Sequence, residues 1–553
     1  MWGFVTLIFF RCSYFVVLGA FLLWARSIHA SVVSQETSNE SRRGNPVLTF
    51  LRRERFAWIA AALLTASVCW AVAAKFRVLT DEAALTLVGK SMFEFKTVHL
   101  PVSGKYSFGT FLPMDSLIPN RPLLYPFLVS LAYTLGGESM TSVFAVNAWV
   151  LYALLVTTMI VVGRFSGRLV ALGVACLVIS HPIVVYSARS AGFDLLACLF
   201  FFWSLLAIAN YLRNPGPAHF ALAWMTLVMF AHVRYESIAL IPVVGLILAS
   251  FHAIRRTDLV RNSWLLACTP LLFFPHLAQQ LLIDHRTVNY SPEPAFSATH
   301  FVENGRILLE SLLEDNATLL PYNRIMLMVG ALCGLDLAWR LARRKIRIPP
   351  GPWRPFWATV IAGALLFNGI YLAHFRGGVF NPTEARFFNL LCLCSVFLVA
   401  VQQHLRMPVS WKPAFLATSM TLLIGLAAVS IGQRQTNALT VPREAERIAK
   451  ILGTPGDRPP LIIADRPMIY LAMGFGAVGF PFAASHSLEL LSEFKRALHP
   501  RLLVIQRIEH ETGLPFPEMT LPREYALETV ESFQTADGYL SRLSQVVTSG
   551  ESR

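Results

Sequence analysis

The sequence predicts a polytopic α-helical membrane protein of about 11–12 transmembrane helices, with a small α/β domain at its C-terminal end. Three observations predict it. Of 553 residues, 55% are hydrophobic and only 14% charged, and mean hydropathy is +0.53, well outside the balance of a soluble domain. Apolar runs of the ~20 residues that cross a ~30 Å bilayer core recur up to about residue 432 and then stop. Basic residues collect in alternate loops, as a fixed membrane orientation requires.

The runs place spans at 56–74, 141–163, 169–187, 193–212, 218–233, 237–253, 263–283, 322–341, 355–373, 386–404 and 411–432. Arg52, Arg53 and Arg55 precede the first, Arg164 and Arg168 follow the second, and Arg213 follows the fourth. Arg255, Arg256 and Arg261 follow the sixth, Arg343, Arg344, Lys345 and Arg347 the eighth, and Arg406 and Lys412 the tenth. These loops are cytoplasmic by the positive-inside rule. Topology thus accounts for part of the net charge of +14, and a nucleic-acid partner is not needed to explain it.

Three long segments fall on the other, extracytoplasmic face: 75–140, 284–321 and everything after 433. The first thirty residues contain an apolar run broken by Arg11. That run is compatible with an extra span, an uncleaved anchor or a signal-like leader, and it lacks a positive amino-terminal region. Residues 31–55 then read as a cytoplasmic linker if the run is retained. The domains expected are therefore 1–55, a membrane domain over 56–432 with outer loops 75–140 and 284–321, and an outer α/β domain over 433–553. In the last, VPREAERIAKIL has the period of an amphipathic helix, while PPLIIAD and HPRLLVIQRI read as buried strands.

All eight cysteines lie in apolar runs, where a thiol behaves as a small hydrophobe, so neither a disulfide framework nor a metal site is suggested. A sequon occurs at Asn316-Ala317-Thr318, a triplet that also arises by chance.

The outer segment after the first span opens with RVLTDEAALTLVGK. Asp81 and Glu82 suit the first turn of a helix capped by Thr80, where carboxylates complement the helix dipole. Further on, NRPLLYPFLVSLAYTLGG breaks at Arg121-Pro122 and Tyr125-Pro126. It leaves an apolar stretch too short to span, which suits the membrane surface. An acidic pair after the first span, a basic-Pro-Leu-Leu-Tyr-Pro segment and a Gly-Gly before the next span together resemble the GT-C superfamily of lipid-linked-sugar glycosyltransferases. The similarity is to the bacterial branch related to protein O-mannosyltransferase and lipid A aminoarabinose transferase. YSARSAGFDLLACLF at 186–200 and GGVFNPTEARFFNLL at 377–391 fit the same pattern, and the resemblance runs over roughly 50–432.

The resemblance implies an inverting transferase at the outer face of a bacterial inner membrane, taking a sugar from a polyprenyl-phosphate donor to an acceptor lipid, glycan or protein. It makes Asp81 the base candidate and Glu82 an orienting or acceptor-binding neighbour. A phosphate leaves readily, so the chemistry asks for a base and for cations at the departing group rather than for an acid. Arg386, at the outer mouth of a span, is the first choice for the phosphate because a guanidinium holds two oxygens at once; its bland alternative is a snorkelling arginine. Lys105 and Arg121 are further phosphate candidates, and Arg189, Arg234, Glu236 and Arg376 are candidates for substrate binding. His99, His181, His300 and His374 read as polar interface residues. No cofactor is firmly implied; a divalent metal serves some members of the superfamily and is not expected in this branch.

A membrane transporter or lipid flippase is the rival class. Such proteins place charges on broken helices near mid-membrane, and Asp194, Asp336 and Arg340 keep that reading open.

Overall fold

The computed structural model describes residues 2–37, 54–77, 79–107, 110–283, 296–313, 323–346, 351–374, 385–406, 408–434, 440–453, 459–496, 498–509, 511–534 and 539–547. Arg376 and the sequon at Asn316 lie outside them.

Each predicted span falls on helical segments, in chain order, though not always on one unbroken helix. The first thirty residues belong to α1 (Trp2–Thr37), which is built into the bundle: Trp24 Nε1 donates to Thr226 Oγ1 at 3.1 Å, and its indole stacks on Trp203. Near its other end Phe10 O accepts from Val98 N, so that end lies beside the outer segment. After α2 (Arg55–Ala71) the chain enters that segment, which folds as α3 (Leu79–Glu94), the hairpin β1 (Leu100–Ser107) and β2 (Thr110–Leu117), and α4 (Leu124–Gly136). Helix α3 starts at Leu79, so Thr80 lies inside its first turn rather than at its cap. A Cβ on Gly89 of α3 would sit 2.7 Å from Val129 Cγ1 of α4; the missing side chain lets the two helices approach.

Ser139 caps α5 (Met140–Ser166) through its side chain. The run expected as one span over 169–187 is instead α6 (Arg168–Ile179) and α7 (Pro182–Ala188), bent by 81°. Pro182 is the reason, since it has no N–H to continue the ladder and its ring clashes with the preceding turn. The bend buries His181 completely, with its Nδ1 accepting from Asn323 N, which corrects its reading as an interface residue. Next come α8 (Asp194–Arg213), α9 (Pro217–Ala231), a 3-10 turn at Tyr235–Ala239, α10 (Leu240–Ser250), α11 (Arg256–Arg261), α12 (Ser263–Leu272) and α13 (Phe274–Leu282). Helix α14 (Ala298–Leu313) precedes α15 (Arg324–Ala342), α16 (Trp353–Ala373), α17 (Asn389–Arg406) and α18 (Lys412–Arg434). Among the described residues seven helices are long and apolar enough to cross a membrane, or eight if the bent pair is one span. Others, such as α2 and α9, are apolar but only 17 and 15 residues long.

Loops assigned to one face are tied there by side chains. Arg164 pairs with Glu54, and Tyr211 OH donates to Asp258 Oδ2 across the ends of α8 and α11. Asp336 pairs with Arg340 and Arg406 and accepts from Gln402 near the basic ends of α15 and α17. Asp336 and Arg340 are therefore part of a half-exposed loop-side cluster and not a mid-membrane charge site.

After α18 the chain forms α19 (Thr440–Leu452), β3 (Leu461–Ile463), α20 (Pro467–Ala472), β4 (Gly476–Val478), α21 (Phe480–Ser485), α22 (Ser487–Lys495), β5 (Leu502–Ile508), β6 (Leu527–Gln534) and β7 (Leu540–Val546). The amphipathic helix and both expected strands are present. The sheet order is β2-β1-β4-β3-β5-β7-β6: β3 runs parallel to β4 and β5, and β1 joins antiparallel to β4 through Gly104 and Ala477. The first outer loop thus supplies two strands to the C-terminal sheet. Strand alternation gives it two apolar faces: Ile462, Ala477, Leu503 and Ile505 belong to the main core, and Leu461, Ile463, Val478, Leu502 and Val504 to a separate cluster that includes Phe480 and Leu490.

Candidate active site

The first turn of α3 places Asp81 between two arginines from distant parts of the chain. Arg121 Nη2 donates to Asp81 Oδ1 at 2.6 Å, and Arg386 Nη2 donates to Oδ2 at 2.5 Å. Arg121 is held by its backbone: Gln279 Nε2 of α13 donates to the carbonyls of Pro119 and Arg121, and Tyr235 OH donates to Gln279 Oε1. Arg386 sits in the 3-10 turn Ala385–Phe388 before α17, where Asn389 Nδ2 donates to its carbonyl and to Ser187 Oγ.

A second carboxylate continues the chain of charges. Asp194, the first residue of α8, accepts from Arg234 Nη1 at 2.9 Å through Oδ1, and its Oδ2 lies 3.8 Å from Arg386 Nε. Arg234 also faces Glu236 at 3.6 Å and lies over the rings of Phe193, Tyr371 and Phe387. The sequence Arg121, Asp81, Arg386, Asp194, Arg234, Glu236 thus alternates in sign and sums to zero. A narrow cavity between α8, α9, α16 and α17 begins at Asp194, Arg234 and Arg386 and continues among Phe201, Phe230 and Phe367.

Two properties of this chain bear on chemistry. Burial by itself would raise the Asp81 pKa, but the guanidiniums of Arg121 and Arg386 overrule it and hold the carboxyl well below the usual carboxylate range. In this arrangement Asp81 is a weak base. Arg386, in turn, is not spent: its Nε and Nη1 are buried and have no hydrogen-bond partner among the described residues, and the same holds for Arg121 Nε. Buried N–H donors of this kind are costly unless something accepts from them.

Other candidates fall elsewhere. Glu82 is 2% exposed, and its Oε2 accepts from the backbone N–H groups of Arg77 and Ala191. It ties the start of α3 to the turn before α8. Gly192 lies between Glu82 and Asp194, since a Cβ there would be 3.6 and 3.4 Å from their oxygens. Lys105 is on β1 and pairs with Glu493 at 2.5 Å and Glu489 at 3.7 Å of α22, so the structure uses it to fasten the hairpin to the outer sheet and does not bring it into the ion-pair chain. Arg189 Nε donates to Val72 O, closing the end of α2. Asp194, read from sequence only as one of the charges that keep the transporter class open, is the residue that sequence reasoning missed for this site. Its signal was its place directly after the Arg189 turn, opening an apolar helix. Among the described residues no group of three or more His, Cys, Asp or Glu side chains converges as a metal site.

No protein-family model matches the sequence, and no curated protein matches it. Solved structures do. ArnT from Cupriavidus metallidurans in the apo state aligns over 90% of this chain and 98% of its own, at 12% identity and a TM-score of 0.52. The same enzyme bound to undecaprenyl phosphate aligns over 89% and 98% at 13% identity, TM-score 0.47. An oligosaccharyltransferase from Archaeoglobus fulgidus, in complex with Zn and sulfate, aligns over 88% and 72% at 14% identity, TM-score 0.46. At these identities the likeness concerns architecture, and the near-complete alignment with the first shows that this chain is an integral membrane protein with a GT-C-like fold.

Proposed function

We propose that the chain transfers a sugar from a polyprenyl-phosphate donor to an acceptor lipid, glycan or protein, with inversion at the anomeric carbon. The reaction takes place on the face that carries α3 and the seven-stranded sheet, which the loop charges assign as extracytoplasmic. The observation that carries this reading is Arg386: a nearly buried guanidinium at the outer mouth of a span, bonded to Asp81 and with N–H donors left over.

The chemistry follows from the ion-pair chain. A donor phosphate entering beside Arg386 and Arg121 competes with Asp81 for their N–H groups. As the carboxylate loses those bonds, its proton affinity rises toward the ordinary range and it becomes able to serve as a base. The acceptor's lone pair then attacks the anomeric carbon, its proton passes to Asp81, and the bond to the phosphate oxygen breaks with the growing charge held by the arginines. Asp194, anchored by Arg234, steadies Arg386 from behind. The unit over 433–553, with the hairpin it receives, caps this region or recognises the acceptor.

The test uses purified protein in membrane vesicles with a panel of labelled polyprenyl-phosphate sugars. Consumption of one donor with release of polyprenyl phosphate, lost in Arg386→Ala, is the expected result. Movement of intact lipid-linked sugar across the bilayer without its consumption would overturn the reading in favour of a flippase.

A further inference from the structure

A second charged cluster lies at the far end of α3, outside the ion-pair chain. Lys90 is 4% exposed. Its Nζ donates to Glu138 Oε1 at 2.5 Å and to Tyr106 OH at 2.5 Å, and lies 3.9 Å from Glu94 Oε1. The ammonium also lies over the rings of Tyr106 and Phe111. Three elements therefore meet at one lysine: α3 itself, the β1–β2 hairpin through Tyr106 and Phe111, and the turn between α4 and α5 through Glu138.

Both carboxyls face the one ammonium, at 2.5 and 3.9 Å, and Glu94 Oε2 is buried with no hydrogen-bond partner among the described residues. With both ionised, the site would carry a net negative charge and a buried oxygen with no donor. One proton between them cancels the charge and supplies the donor. We propose that Glu94 and Glu138 share a single proton beside Lys90, and that this proton keeps intact the cluster through which Lys90, by way of Tyr106, holds the hairpin to the helix that carries Asp81. This stands apart from the proposed sugar transfer and does not depend on it.

The other groups nearby do not replace that proton. Tyr133 of α4 faces the carboxyls, and burial first, then the surrounding carboxylates, push it further from ionising. Tyr106 is likewise raised, chiefly by burial. In the segment after α3, Lys96 Nζ donates to Phe93 O and His99 Nδ1 bonds Thr97, while Lys105 on the hairpin is engaged by Glu493. Burial, opposed by Lys90 and reinforced by Glu138, pushes Glu94 from 4.5 up to about 7. A raised carboxyl stabilises the clamped form fully below pH 4.5, and that stabilisation is lost as pH rises through about 7. If the opened hairpin leaves Glu94 at its ordinary value, the opening equilibrium increases about tenfold between pH 6 and 8.

The full chain in lipid nanodiscs gives two readouts. Infrared difference spectra between pH 6 and 8 should show one protonated carboxyl titrating near neutrality, absent in Glu94→Gln and moved below pH 6 in Glu138→Gln, where Lys90 has a single carboxylate to serve. Hydrogen exchange of residues 100–117, corrected for the intrinsic pH dependence of the amides, should rise about tenfold over the same range in the wild type and stay flat in Glu94→Gln. The proposal is overturned if no carboxyl titrates between pH 6 and 8, if the same band persists in Glu94→Gln, or if corrected exchange of the hairpin changes equally in wild type and variant.

Discussion

Arg386 offers the sharpest test of the ion-pair chain, through the series Arg386→Lys and Arg386→Ala. Its guanidinium does two things that one ammonium cannot: Nη2 bonds Asp81 Oδ2 at 2.5 Å while Nε faces Asp194 Oδ2 at 3.8 Å. Lys keeps the charge but reaches one carboxylate at a time, and it loses the planar fork for a phosphate. Ala removes the cation that lies between Asp81 and Asp194 among the described residues, leaving each with one arginine at its far side. Removing a donor that acts on developing charge typically costs about 2.7–4 kcal/mol, on the order of 10²–10³ in turnover. With part of the charge retained, Lys should lose about tenfold, or ~1.4 kcal/mol. The assay is turnover per inserted molecule with one lipid-linked donor in vesicles. A snorkelling arginine would behave otherwise, because Lys snorkels equally well and Ala would mainly lower the amount inserted; the 11% exposure of the Arg386 side chain already argues against it. Equal turnover of all three proteins refutes the assignment.

Asp81→Asn should abolish transfer while the protein still inserts; near-normal turnover would mean that the carboxylate is not the base. Because the Asp81 carboxyl is held below its ordinary range, its stabilising effect is present above pH 3.8 and is lost only as pH falls below that value; thermal melts of the wild type against Asp81→Asn should therefore differ by a constant amount from pH 5 to 8 and converge in acid. Asp194→Asn should lower turnover, by about tenfold, and should also destabilise the fold by roughly 3 kcal/mol, since it leaves the buried Arg234 without its bonded carboxylate. Lys105→Met should loosen the outer sheet by about 1–2 kcal/mol, because Glu493 loses its main partner, yet leave the rate constant for transfer unchanged; a rate loss as large as that of Arg386→Ala would restore Lys105 to the site. Gly89→Val should lower the melting temperature sharply, since its side chain has no room against Val129.

The sequence by itself determined the class of this protein and set an expectation of its sidedness. Spans and basic loops are written in one-dimensional composition, because the bilayer demands ~20 apolar residues per helix whatever their neighbours, and the charge rule acts loop by loop. For the same reason the strands around Ile462 and Val504 and the amphipathic helix from Thr440 could be read directly. The pairing of Asp81 with Arg386 was legible only as two candidates with separate roles, since nothing local says that residues 305 positions apart exchange a hydrogen bond. That the bond makes Asp81 a weak base is a consequence of geometry alone. Tertiary structure also separated Glu82 from its neighbour: one residue further round α3 turns its carboxylate by about 100°, toward the amides of Arg77 and Ala191. It moved Lys105 to the outer sheet, because β1 and β2 join a sheet whose five remaining strands are more than 340 residues away, and it promoted Asp194, which in sequence is merely the last charge before an apolar run. Propensity and pattern act over a few turns of chain, whereas the partner of a buried charge is set by whichever distant segment the packed helices bring beside it.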